Sequence, residues 1–129
     1  MAAAVADYRP AREVAGKRPK SDVAWTVELV PTTDVARALG SAKSNGQIVV
    51  AFGAAEGDSG LERKRGILSD KNVDLVVYND VSRGDIGFDS ADNEVVLITK
   101  AGERLVPKAP KAAIAAAILD EVERLLGAQ

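Results

Sequence analysis

Gln47–Phe52 reads QIVVAF and Val73–Tyr78 reads VDLVVY. Each is a short run rich in β-branched and apolar residues. That is the pattern of a central parallel strand covered on both faces. Between them lie a glycine-rich, acidic connection, Gly53–Gly60, and a charged segment, Leu61–Asp70, whose spacing predicts a helix weakened by Gly66. Strand, helix and strand in this order make the repeating unit of an α/β domain.

The same logic extends outward. Met1–Ala6 is a short apolar run that reads as a buried strand, or the last part of one, ending at Asp7. A chain that opens inside a core strand suggests a piece of a longer protein. Trp25–Val30 alternates, with Trp25, Val27 and Leu29 on one face, as a half-buried strand does. Pro31 ends it. Thr32, Thr33 and Asp34 then offer N-cap oxygens to a helix whose stripe is Val35, Ala38, Leu39 and Ala42. Asn45-Gly46 is a turn. Downstream, Val95–Thr99 and Arg104–Val106 predict a hairpin turning at Ala101-Gly102. Pro110 opens a last helix with the stripe Ile114, Ile118, Val122 and Leu125. The expectation is a single α/β domain over residues 1–129. It is a Rossmann-like three-layer fold with a mainly parallel sheet and an antiparallel C-terminal hairpin.

Composition narrows the chemistry. Among 129 residues there is no cysteine and no histidine, which excludes disulfides, thiol nucleophiles and histidine-based triads. Proton transfer must then use carboxylates, lysines, tyrosines or the substrate itself. A formal net charge of −2 gives no global argument for nucleic acid or a membrane surface. No apolar run approaches the length of a membrane span. The expected location is the cytoplasm.

One local feature stands out. Tyr8–Lys20 carries Arg9, Arg12, Lys17, Arg18 and Lys20 against the single acid Glu13, broken by Pro10, Gly16 and Pro19. This predicts a mobile basic loop spanning roughly residues 8–22. Two readings are open: a solvated charge run, or a flap that closes over phosphates. Ligands of open α/β sheets sit beyond the carboxyl ends of strands, here Asp7, Phe52–Glu56 and Asn79–Ser82. Asp7 and Asp34 are candidates for Mg²⁺ or a ribose hydroxyl, with a plain helix cap as the alternative for Asp34. Phe52 either stacks on a base or fills the core, and Asn79-Asp80 is a turn at least. Neither GxxxxGK[ST] nor GxGxxG is present.

Six stretches in order carry a resemblance: AAAVADYRP (Ala2–Pro10), GKRPK (Gly16–Lys20), ELVPTTDV (Glu28–Val35), VVAFGAAE (Val49–Glu56), KNVDLVVYNDVS (Lys71–Ser82) and GFDSADNEVVLIT (Gly87–Thr99). Together they resemble the C-terminal half of the phosphopantothenoylcysteine synthetase family, over essentially the whole chain. The resemblance implies a Rossmann-like, dimeric ligase of coenzyme A biosynthesis. It implies CTP (ATP in eukaryotic members) activating 4′-phosphopantothenate as an acyl-cytidylate, which cysteine then converts to the amide. It implies Lys17 as the flap lysine at the phosphates, and Asp7, Lys20, Thr33, Asp34, Val35, Ala36, Phe52 and Lys71 as nucleotide contacts. FMN belongs to a fused decarboxylase domain that these residues do not include.

The sequence departs from the family at several points. The KxKK flap motif reads Lys17-Arg18-Pro19-Lys20, and Thr33 stands for the proline of PDI. FAAET reads Phe52-Gly53-Ala54-Ala55-Glu56. A second family lysine falls on Ile67, where Lys64 or Arg65 can substitute. The glycine-rich nucleotide loop and the asparagine of the family's N-terminal half are not in this stretch, so it is expected not to complete the reaction alone. The competing expectation is a non-catalytic α/β module that binds a nucleotide or serves in assembly.

Overall fold

A computed structural model describes residues 4–55, 57–82 and 90–128. The chain divides into two compact units, residues 4–34 and residues 35–128.

The larger unit is built on a four-stranded sheet of order β3-β4-β5-β6, with β3 at Val50–Ala55, β4 at Leu75–Asp80, β5 at Asp92–Thr99 and β6 at Gly102–Pro110. β3 and β4 pair in parallel, from Val50 opposite Leu75 to Ala55 opposite Asp80. Helix α2 (Gly57–Asp70) makes the crossover. β5 returns antiparallel to β4, and β6 antiparallel to β5. The α/β class and the C-terminal hairpin are as expected, but the parallel character is confined to the β3–β4 pair. The reason is chain length: residues 81–91 are too few for a crossover, which takes a dozen or more.

β4 is the centre. Leu75 and Val76 have no solvent exposure (0 %), and Val77 and Tyr78 are buried beside them. Successive residues point to opposite faces. Val76 and Tyr78 join Ala51, Leu68, Val73 and Ile98 in one cluster, against which Leu61 and Ile67 of α2 pack. Leu75 and Val77 join Val95, Leu97, Val106 and Ile114 in the other. There Ile118, Val122 and Leu125 of helix α3 (Lys111–Gly127) pack, as the stripe predicts. Each fully buried Val or Leu contributes about 1.5–3 kcal/mol. β3 begins later than QIVVAF suggests, because Asp74 occupies the strand entrance. Its Oδ2 accepts the Val49 N–H at 2.8 Å and its Oδ1 accepts Lys43 Nζ at 2.7 Å. Helix α2 starts earlier than Leu61. The hairpin is longer than expected and turns at Lys100-Ala101, with Thr99 opposite Gly102.

Helix α1 (Val35–Ala42) forms as expected but buries a different stripe, Ala36 and Gly40, leaving Leu39 exposed. Contacts distant in sequence decide this. Asn72, held at φ 50°, donates its Nδ2 to the Gly40 carbonyl at 2.9 Å, and Arg37 donates to the Asp70 carbonyl at 2.5 Å. The helix comes so close that a Cβ on Gly40 would lie 1.8 Å from the Lys71 carbonyl oxygen.

The smaller unit is a short antiparallel ladder, β1 (Tyr8–Pro10) with β2 (Leu29–Pro31). Two expectations are corrected here. The strand forms at Tyr8–Pro10 rather than at Ala4–Ala6, which is irregular and exposed; residues 1–3 lie outside the described residues. Of Trp25–Val30 only Leu29 and Val30 enter a strand, which runs on to Pro31, while Trp25 and Val27 are 56 % and 45 % exposed. A three-residue ladder gives a strand face little to pack against.

Glu121 on α3 is buried between two arginines, with Arg124 Nη2 at 2.5 Å and Arg104 Nη2 at 3.4 Å. The hydrogen bond from Arg124 is the main cause holding its carboxyl below the ordinary glutamate value. A depressed folded pKa contributes stability that is present above the unfolded value and lost as pH falls through the folded one. Glu121→Gln should therefore lower stability at neutral pH by on the order of 1 kcal/mol, since half-exposed arginines are screened. It should also flatten the acid limb of a stability-against-pH curve below about pH 4.5. Two glycines give opposite signs in urea unfolding. Gly40→Ala should cost about 1–3 kcal/mol by overpacking. Gly66→Ala, whose nearest neighbour is Asp70 Oδ2 at 3.6 Å, should gain up to about 1 kcal/mol.

Candidate functional site

In the smaller unit the ladder organises both the acids and the basic loop. Thr32 donates its N–H to the Asp7 carbonyl at 2.9 Å and its Oγ1 to the Ala6 carbonyl at 2.5 Å. Asp7 is thereby held beside the segment that runs on through Thr33 to Asp34. At the other end, Ala11 N–H donates to the Glu28 carbonyl at 2.9 Å and closes the loop of residues 12–27. Arg12, Val14, Trp25, Thr26 and Val27 line a cleft of about 320 Å³ at its base. Lys17 and Lys20 lie in this loop, exposed, with no hydrogen bond or ion pair among the described residues. Arg18 between them is engaged: its guanidinium lies 4.2 Å from the centroid of the Trp25 ring.

Asp7 or Asp34 is the expected metal ligand. Among the described residues no three carboxylates gather into a cage. A single acid of this kind fits a Mg²⁺ held largely by phosphates and water, which needs only one or two protein carboxylates. Val35 and Ala36 open α1. Ala36 is buried, so it can offer a ligand only backbone.

In the larger unit Phe52 is 48 % exposed. It shares a strand face with Val50 and Ala54, opposite Val77 and Asn79 of β4 respectively for Phe52 and Ala54. Asn79, which the sequence places in a turn, has a buried Oδ1 with no hydrogen-bond partner among the described residues. A polar side chain in the apolar register of Leu75 and Val77 is the sequence signal for it. The turn itself is closed by Asp80, whose Oδ1 accepts the Ser82 N–H at 2.9 Å and Oγ at 2.7 Å. Lys71 lies elsewhere, ahead of the amino end of β4 and so at the opposite end of the strand from Asn79. At the position of the second lysine, Ile67 packs against the core. Arg65 is committed to Glu62 and Glu103. Lys64 reaches β3, its stem covering Gly53 so closely that a Cβ there would meet Cε at 2.8 Å.

Residues 1–126 match the family model described as the DNA/pantothenate metabolism flavoprotein C-terminal domain. The chain belongs to this family. The flavoprotein C-terminal-domain match is supported by curated relatives. The coenzyme A biosynthesis bifunctional protein CoaBC of Vibrio vulnificus (strain YJ016) is 35 % identical over 127 residues, covering 97 % of this chain and 31 % of the relative. CoaBC of Bacillus subtilis (strain 168) is 38 % identical over 125 residues, covering 95 % of the chain and 30 % of the relative. The chain thus spans about a third of these relatives' length. Among solved structures, the C-terminal domain of CoaBC superposes with a TM-score of 0.70 at 28 % identity, covering 98 % of this chain and 53 % of that one. A Cab2 variant in complex with phosphopantothenate-cysteine shares the fold, with a TM-score of 0.60 at 21 % identity, covering 79 % and 32 %.

The exposure of Phe52 separates base stacking from core filling. Phe52→Ala should cost less than about 1.5 kcal/mol in urea unfolding, while Leu75→Ala, fully buried, should cost about 2–5 kcal/mol. Equal costs would mean that Phe52 is a core residue.

Proposed function

We propose that this chain carries the nucleotide-contacting part of a phosphopantothenate–cysteine ligase of coenzyme A biosynthesis. The carrying observation is the ladder-closed loop with two unengaged lysines, Lys17 and Lys20, in a chain of this family. Two mobile cations suit a triphosphate, which needs its charge neutralised as the transition state forms. Thr33, Asp34 and the first amides of α1 suit the nucleotide at a helix start, and Phe52 suits its base.

In the reaction so assigned, a carboxylate oxygen of 4′-phosphopantothenate attacks the α-phosphorus of CTP. Pyrophosphate leaves and the acyl-cytidylate remains. The cysteine amine then attacks the acyl carbon and CMP leaves, giving the amide after loss of the amine proton. Lys17 and Lys20 hold the phosphates; Asp7 or Asp34 would hold a Mg²⁺, which would supply charge neutralisation. Lys64 is a further cation at β3. No histidine is required, consistent with its absence from the sequence. Residues 1–129 form the C-terminal part of the ligase domain, not competent alone, and belong to a homodimer of the full-length protein in the cytoplasm. Among the described residues no helix is long and apolar enough to cross a membrane.

Calorimetric titration with CTP and Mg²⁺ tests the reading. Lys17→Ala should raise Kd about 10-fold, the equivalent of one charge-assisted phosphate contact. An unchanged Kd would overturn the assignment of Lys17. A wild-type chain that binds no CTP would favour a module that serves assembly alone.

A further inference from the structure

The basic loop is long, glycine- and proline-broken, and among the described residues its backbone is tied at its base by the Ala11–Glu28 bond. Arg12, Lys17, Arg18 and Lys20 repel one another within it. A loop of this kind has no reason of its own to hold one position. Across it runs a single ring contact among the described residues, the guanidinium of Arg18 over Trp25, seven positions along the returning arm. Trp25 is the only tryptophan in the chain, and more than half its surface is exposed, so burial does not account for it.

We propose that Trp25 is a positioning residue: it seats the tip of the basic loop through Arg18 and thereby presents Lys17 and Lys20 to a polyphosphate. The inference deepens the proposed function and rests on it. A planar guanidinium lies flat on an indole face, which a lysine ammonium at the same place matches less well. Arg18 is therefore an anchor, and its neighbours are the phosphate ligands. Pro19 fits this division of labour. Its ring fixes φ near −65° and shortens the range of directions open to Lys20 relative to the anchored Arg18. The departure from KxKK thus exchanges a third mobile charge for a stiff link beside an anchored one.

Two readouts on the full chain test this. Trypsin cuts after Lys17 and Lys20, whereas the Arg18–Pro19 bond resists it. Trp25→Ala should speed cleavage at both sites about threefold, the population shift expected from losing one exposed cation–π contact. Cleavage after Lys111 at the start of α3 should stay unchanged, which guards against general unfolding, and Trp25→Phe should fall between wild type and Trp25→Ala. Equal rates in wild type and Trp25→Ala overturn the proposal. Titration with CTP and Mg²⁺ supplies the second readout. Arg18→Ala and Trp25→Ala should each weaken binding about threefold, and the double variant no further. If Arg18→Ala weakens binding and Trp25→Ala does not, Arg18 is itself a phosphate ligand and the seat is disproved. A wild-type chain that ignores CTP counts against the proposed function, while the trypsin comparison still decides whether the seat exists.

Discussion

Burial of β4 on both faces is the constraint on which the larger unit depends. Leu75 and Val77 face α3 while Val76 and Tyr78 face α2, so one strand of six residues belongs to both cores. A strand in that position admits few polar side chains until it leaves the layers. It does so at Asn79, Asp80 and Ser82, which is why polarity collects at its carboxyl end. The parallel partner β3 carries Phe52 to the same end region, on a face that α3 does not fully cover. The half-exposure of Phe52 is thus a consequence of how the sheet is layered.

The basic loop depends on a different balance. Its cations gain little from the protein, since Lys17 and Lys20 have no anionic partner among the described residues. Such an arrangement is tolerable because the loop is solvated, and it becomes favourable when an anion of high charge arrives. The ladder of β1 and β2 fixes where the loop begins and ends, and fixes Asp7 beside Thr32 at the end away from it.

Much of this was legible in the sequence where one local pattern sufficed. VDLVVY reads as a two-faced strand because each position must be apolar. The α3 stripe reads correctly because one helix face meets one sheet face. The cationic loop is visible from charge alone, and six ordered stretches led to the family. The misses arose from contacts distant in sequence. The stripe of α1 was set by Asn72 and the Lys71 carbonyl, which favoured Gly40 over Leu39. Trp25 alternated like a strand residue but met no second layer, and stacked on Arg18 instead. The different surroundings of Lys64, which covers Gly53, and of Arg65, which Glu103 binds, likewise come from contacts distant in sequence. The balance of parallel and antiparallel pairing follows from residues 81–91, which are fewer than a crossover requires.

The central proposal is that the basic loop of the smaller unit holds the phosphates of the nucleotide through Lys17 and Lys20. Amide chemical-shift mapping during a CTP titration tests it most directly. The account predicts that shifts gather at Asp7 and at Lys17–Lys20, and that α3 stays still. Saturable shifts confined to α3 and β6, or a spectrum that CTP leaves unchanged, would contradict it.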